Sequence, residues 1–245
     1  MSKGGQRIAT ATGVMLADPH SLGNDHLSAG ESLFDPNFWE TRNEIAAVSA
    51  GRGSAWLIGP APHRWVLRHY RRGGFIANFS RDRYLWAGED RVRAFAEWRL
   101  LEYLTQRNLQ VPKPAAAFYR RSGLTYTCDL ITLRIPRAQP LSAVLAATAP
   151  APTAPVDWGE VGRAIARLHR IGVDHADLNA HNILIGEGGV SIIDFDRGRL
   201  RAPGNWAAAN LARLERSLAK ISAALPPQRF TAANWRELTA GYEAG

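Results

Sequence analysis

The sequence predicts an α+β protein of two lobes, the first small and β-rich and the second mainly helical. Three observations carry this. Short runs such as AVSAGRGSAWLIG and RWVLRHY, separated by the turn GPAPH, read as strands, and they precede one helical stripe. Beyond residue 157 the apolar spacing turns helical. Between the helical stretches lies one hairpin pattern, NILIGEGGVSIIDFD, whose turn contains Gly186, Gly188 and Gly189. The expected division is 1–135 for the first lobe and 136–245 for the second.

In chain order, residues 1–45 say little apart from one helix start, FDPNFWETRNEI, where Asp35 caps and Pro36 suits the first helical position. Val92, Phe95, Trp98, Leu101 and Leu104 place a helix over RVRAFAEWRLLEYL. VPKPAAAFYR and GLTYTCDLITLRI follow as strands, and TAPAPTAPV (148–156) as a Pro/Ala loop. DWGEVGRAIARLHRIG is a helix with Asp157 and Glu160 at its start and Trp158, Val161, Ile165 and Leu168 on its apolar face. Trp206, Asn210, Leu211, Leu214, Leu218 and Ile221 keep helical spacing to the end of that stretch.

The 245 residues are 46% apolar and 21% charged, ordinary for a folded soluble chain. The longest uncharged stretch, Ala138 to Val156, holds four prolines and makes a poor membrane span, so a soluble or peripheral protein is expected. Cys128 is the one cysteine, which excludes an internal disulfide and suits a small buried position. Thirty basic against 22 acidic residues give +8, which points to an anionic partner: nucleic acid, lipid surface or phosphorylated substrate. No dedicated nucleic-acid motif is present, and no nucleic acid is expected as a partner.

The chemistry concentrates in HADLNAHNILIGEGGVSIIDFD (175–196). Asp177 follows a helix, Asn182 stands five positions on at the start of a strand, and Asp194 ends the next strand. The hairpin brings Asn182 and Asp194 together across twelve positions. Phosphoryl transfer requires such a set: hard oxygen ligands for Mg²⁺ from Asn182 and Asp194, and a carboxylate, Asp177, to take the proton of the attacking hydroxyl. Asp196 is read as a polar loop residue, the alternative being that it helps hold metal or basic groups. In the first lobe, Gly51, Gly53 and Ser54 offer backbone N–H groups to the phosphates of a nucleotide. Glu97 on the helix would aim at a cation on a neighbouring strand, where WVLRHY supplies Arg68. Either Arg68 bridges Glu97 and the nucleotide, or it is an exposed strand residue and another cation serves.

These residues, in a protein-kinase-like order, resemble the 3-deoxy-D-manno-octulosonic acid (Kdo) kinases of lipopolysaccharide assembly. The resemblance runs through FDP (34–36), GRGSAW (51–56), VLRHYRRGG (66–74), VPKP (111–114), HADLNAHNILI (175–185), IDFDRG (193–198) and NWAAANLARLERSLAK (205–220). It implies a bilobal protein-kinase-like fold with arginine at the usual lysine position. It also implies ATP as phosphoryl donor with Mg²⁺, and transfer to the 4-hydroxyl of Kdo on a lipid A precursor. The expected place is the cytoplasmic face of the Gram-negative inner membrane, as a peripheral protein on an anionic surface. Arg71, Arg72, Arg81 and Arg83 are then candidates for substrate phosphates or carboxylate, or else a solvated surface. A RIO-like or aminoglycoside-type kinase shares the Asp-x4-Asn…Asp core, and a catalytically dead basic binding module is the third reading.

Overall fold

The structure is a computed structural model and describes residues 5–47, 55–62, 64–71, 82–147, 156–226 and 229–245. The chain forms two compact units, Met1–Tyr103 with Lys113–Arg134, and Leu104–Pro112 with Ile135–Gly245.

The first unit is built on one antiparallel sheet. Its strands are β1 Gln6–Ala9, β2 Gly13–Ala17, β3 Ile45–Ala47, β4 Ala55–Ile58, β5 Trp65–His69, β6 Tyr84–Leu85, β7 Pro114–Ser122 and β8 Thr125–Leu133. They run in the spatial order β1-β2-β7-β8-β5-β4-β3, with β6 on the free half of β8. The N-terminal stretch that looked uninformative supplies two of these strands. Gln6 pairs with Ala17 and Val14 with Tyr119, so β2 joins the first hairpin to β7. The sheet's alternation buries Trp65 and Leu67 of β5, and Met15 of β2, in a cluster with Leu33, Trp39 and Ile131. Two buried indoles still satisfy their N–H groups: Trp39 donates to the Leu33 carbonyl (2.8 Å) and Trp65 to that of Ser21 (3.2 Å).

Short helices α1 Pro19–Leu22, α2 Asn24–Leu27 and α3 Pro36–Glu40 follow β2 and precede β3. The Asp35 carboxylate caps α3 by accepting from the Asn37 N–H at 3.0 Å. The expected helix is cut short at Glu40, because Asn43 adopts a left-handed φ of 55° and turns the chain into β3. Helix α4, Arg93–Thr105, presents Phe95, Trp98 and Leu101 as its buried stripe.

In the second unit, β9 Ala138–Pro140 and α5 Leu141–Ala146 come out of a stretch to which the sequence assigned no element; the expected Pro/Ala loop, 148–156, lies outside the described residues except for Val156. Pairing is the reason: β9 lies against a strand some forty positions later, and no local pattern announces it. Helix α6, Trp158–Arg170, starts on Asp157, whose side chain accepts from the Glu160 N–H at 2.7 Å. After β10 Val173–Asp174 come β11 Ile183–Gly186 and β12 Gly189–Ile192, a tight hairpin with Gly189 at φ 94°. Then follow β13 Arg199–Leu200, α7 Trp206–Ser222 and α8 Ala232–Ala244.

Helices α6 and α8 touch backbone to backbone. A methyl group at Gly162 would collide with the Leu238 carbonyl and the Tyr242 N–H, and one at Gly241 with the Gly159 backbone. Gly162→Val is therefore expected to cost roughly 1–3 kcal/mol or more through overpacking. A urea midpoint equal to that of the wild type would show that the two helices have room to spare.

Candidate active site

In the second unit the hairpin sets the geometry. Ile183 pairs with Ile192, and the ladder runs one step further through the Ile193 N–H donating to the Asn182 carbonyl at 2.9 Å. Asn182 and Asp194 thus sit at the same open end of the hairpin. Asp194 itself has a φ of 66°, a left-handed conformation that aspartate tolerates better than most residues. The Asn182 amide nitrogen donates to the Asp177 carbonyl at 3.0 Å, and so does that of Asn179 at 2.9 Å. The loop carrying Asp177 is thereby tied to the hairpin, and Asn182 Oδ1 accepts no hydrogen bond from the described residues.

This donor set suits a small hard cation completed by phosphate oxygens, which takes one or two carboxylates rather than a full protein cage. Among the described residues no cluster of three or more His, Cys, Asp or Glu forms a closed metal site. Asn182 Oδ1 and the Asp194 carboxylate, from residues at the same end of the hairpin, are the pair that fits.

The same loop is fixed from behind. His175 is buried and its Nε2–H donates to the Ile193 carbonyl at 2.9 Å, next to Asp194, while Nδ1 has no hydrogen-bond partner among the described residues. A carbonyl can only accept, so the ring carries its proton on Nε2, and burial pulls the imidazole's pKa below the usual histidine range. Asp174, also buried, accepts from Asn210 Nδ2 and Arg201 Nη1, each at 3.0 Å. Burial pushes that carboxyl up, and the contacts with Asn210 and Arg201 more than offset it, leaving it below the usual carboxylate range.

Helix α7 supports the loop through residues one face apart. Asn210 accepts from the His175 N–H at 3.0 Å, Ser217 Oγ accepts from the Ala180 N–H at 3.2 Å, and Arg213 between them grips Asp177. Arg213 Nε lies 2.8 Å from Asp177 Oδ1, and Nη2 donates to the same oxygen. Sequence reading placed Asn210 in an apolar stripe and assigned nothing to Arg213 or Ser217. The signal was the i, i+3, i+7 spacing of three polar residues on a helix following the catalytic loop.

Farther along the same unit, His169 Nδ1 is 2.9 Å from the Tyr242 hydroxyl and the ring packs edge-on against Trp206. Burial pulls its pKa from 6.5 down to about 4. Above pH 6.5 the folded and unfolded forms are both neutral at this ring. Between 6.5 and about 4 the unfolded chain takes a proton that the folded chain refuses, so stability falls as pH falls through that window. His169→Gln is expected to flatten this part of the curve, checked by urea midpoints at pH 7 and 4.5. An unchanged slope would assign the loss to other groups.

In the first unit, Arg68 of β5 and Glu97 of α4 form the expected ion pair through Nη2 and Oε2. Glu97 is 3% exposed. A residue that the sequence did not single out completes the group: the Tyr70 hydroxyl donates to Glu97 Oε2 and accepts from Arg68 Nη2 at 2.9 Å. The period-two pattern of RHY places Arg68 and Tyr70 on one side of the chain. Between them, His69 bonds Asp129 at 2.7 Å and lies 3.6 Å from Asp82; the Asp129 bond raises its pKa. Gly51, Gly53 and Ser54, with Arg72 and Arg81, lie outside the described residues. Arg71 and Arg83 are exposed.

A family model described as the lipopolysaccharide kinase (Kdo/WaaP) family matches residues 36–242. The chain belongs to that family. Two curated relatives named 3-deoxy-D-manno-octulosonic acid kinase are 48% identical to it. The one from Stenotrophomonas maltophilia (strain R551-3) aligns over 79% of this chain and 76% of its own, and so does the one from Xanthomonas campestris pv. campestris (strain B100). A solved structure described as WaaP in complex with acyl carrier protein shares the fold. Its TM-score is 0.53 at 16% identity, over 88% of this chain and 86% of that one. The expected α+β, protein-kinase-like fold is thus observed. Membership of a kinase family brings with it ATP and a divalent metal ion.

Proposed function

We infer that this chain is an ATP- and Mg²⁺-dependent sugar kinase that phosphorylates the 4-hydroxyl of Kdo on a lipid A precursor, in lipopolysaccharide core biosynthesis. The observation that carries the chemistry is the loop–hairpin unit, in which Asp177, Asn182 and Asp194 are fixed by backbone and side-chain hydrogen bonds. The choice of acceptor is supported by the relatives of that name at 48% identity.

Asp177 takes the proton as the acceptor hydroxyl attacks the γ-phosphorus and ADP leaves; bonds to its backbone carbonyl fix the loop, and Arg213 holds the carboxylate. Asn182 Oδ1 and Asp194 would hold Mg²⁺, which when bound neutralises charge on the phosphates. Arg68, oriented by Glu97 and Tyr70, grips the nucleotide phosphates in place of a lysine. Gly51, Gly53 and Ser54 complete the nucleotide contacts through their backbone.

Incubation with γ-labelled ATP, Mg²⁺ and a Kdo-bearing lipid A precursor should place label on the Kdo sugar. Label on an aminoglycoside, or on protein alone, would overturn the assignment.

The working place is the cytoplasmic face of the inner membrane, reached peripherally. Among the described residues no helix is long and apolar enough to cross a membrane, and the net charge of +8 suits an anionic leaflet. Each basic residue near such a surface contributes on the order of 1 kcal/mol within about a Debye length. Binding to anionic vesicles is expected to fall steeply as salt rises. Salt-resistant binding, or equal binding to neutral vesicles, would point to an apolar anchor instead.

A further inference from the structure

Arg213 does more than its contact with Asp177 requires. Its Nε and Nη2 both converge on Asp177 Oδ1, so one long edge of the guanidinium is used on a single oxygen. The other carboxylate oxygen, Oδ2, accepts nothing from the described residues and is left for the acceptor hydroxyl. The opposite edge of Arg213, Nη1 with the second N–H of Nη2, makes no hydrogen bond among the described residues. The side chain is 49% exposed. An arginine fork matches a carboxylate bidentately, and this one offers its free edge beside the proposed base.

The acceptor proposed above, on which this inference rests, is a sugar acid. A 3-deoxy-2-ulosonic acid carries its carboxylate on the anomeric carbon, two ring carbons from the 4-hydroxyl. A hydroxyl presented to Asp177 therefore brings a second anion close to the first, and like charges so near repel unless a cation lies between them. We propose that Arg213 is the acceptor-specificity residue, binding the sugar carboxylate on its free edge while its other edge holds Asp177. The chemical class selected is a hydroxy sugar bearing a carboxylate two ring carbons from the phosphorylated position.

The test compares transfer to the natural acceptor and to its Kdo methyl ester, in the wild type and in Arg213→Gln. The wild type is expected to prefer the acid by about ten- to a hundredfold in kcat/KM, with most of the difference in KM, as for a charge-assisted hydrogen bond. Arg213→Gln is expected to lose activity on the acid and to bring the ratio within about threefold of unity. Arg213→Lys, which keeps charge without the fork, should fall between them, and it replaces the glutamine variant if that one does not fold. A lower kcat on both acceptors with the wild-type ratio retained would mean that Arg213 only positions Asp177, and would overturn the proposal. Equal wild-type rates on acid and ester would overturn it too, while leaving the kinase assignment standing. Label on neither acceptor would overturn the assignment itself and this inference with it.

Discussion

Asp177→Asn is expected to fold like the wild-type chain and to lose phosphoryl transfer by about 10²–10⁴-fold, the usual size of a positioned general base. The substitution is nearly isosteric, and the side chain is 46% exposed, so its ion pair with Arg213 stabilises the fold little. The loop is held mainly by other groups: Asn182 and Asn179 on the Asp177 carbonyl, and His175 on the Ile193 carbonyl. All of these survive the change. What disappears is a basic oxygen, because an amide can orient a hydroxyl but cannot take its proton. Single-turnover rates with saturating ATP, set beside thermal melts, separate the two effects. A variant with wild-type melting and near-wild-type turnover would remove Asp177 from the role of base.

Breaking the Arg68–Glu97 pair is expected to have the second largest effect, on both stability and nucleotide use. Glu97 is 3% exposed and has Arg68 and the Tyr70 hydroxyl as partners. Arg68→Ala takes a charged partner from a buried carboxylate, and breaking a buried pair in this way costs up to about 3–5 kcal/mol. Arg68→Lys keeps the charge but not the fork, and should recover only part of the loss. Glu97→Gln removes the anion and leaves a partly exposed arginine, the milder single change. Because both singles disrupt one contact, the double variant should cost less than their sum, with a coupling on the order of 0.5–3 kcal/mol. The same order should appear in KM for ATP. Additive losses would mean that the two side chains act independently, and wild-type activity in Arg68→Ala would leave the phosphate cation to be found elsewhere.

The parts of the site that were legible in the sequence are those encoded locally. Asp177, Asn182 and Asp194 are recognisable because a two-strand hairpin converts a spacing of twelve into adjacency, and the turn glycines announce the hairpin. Asp35 and Asp157 cap their helices as their positions suggest. Arg68 and Glu97 could be paired because a strand and the helix after it are a familiar combination. Contacts that cross long stretches of chain were not legible. Strand β9 forms only because β11 lies beside it, and β1 and β2 depend on β7. Tyr70 reads as an ordinary strand aromatic until its hydroxyl is seen on Glu97. Arg213 and Ser217 are unremarkable surface-type residues on a helix, and their meaning lies wholly in where the catalytic loop passes. Side-chain partners some 36 positions apart leave no periodic trace in the sequence.

The way α7 and α8 brace the second unit also fixes a timetable for synthesis. The catalytic loop is translated first, and the groups that hold it, Arg201, Asn210, Arg213 and Ser217, come later in the chain. At about 5–20 residues per second, the ribosome needs roughly 2–8 seconds to pass from the loop to Ser217. Until residue 210 has been made, His175 and Asp174, both buried in the finished protein, lack Asn210, and Asp174 at first lacks Arg201 too. Helix α6 must also wait for α8 before Gly162 finds the backbone it packs against. The nascent kinase therefore carries its catalytic loop before it has the means to shape it, and the loop's supports are complete only once α7 has been made.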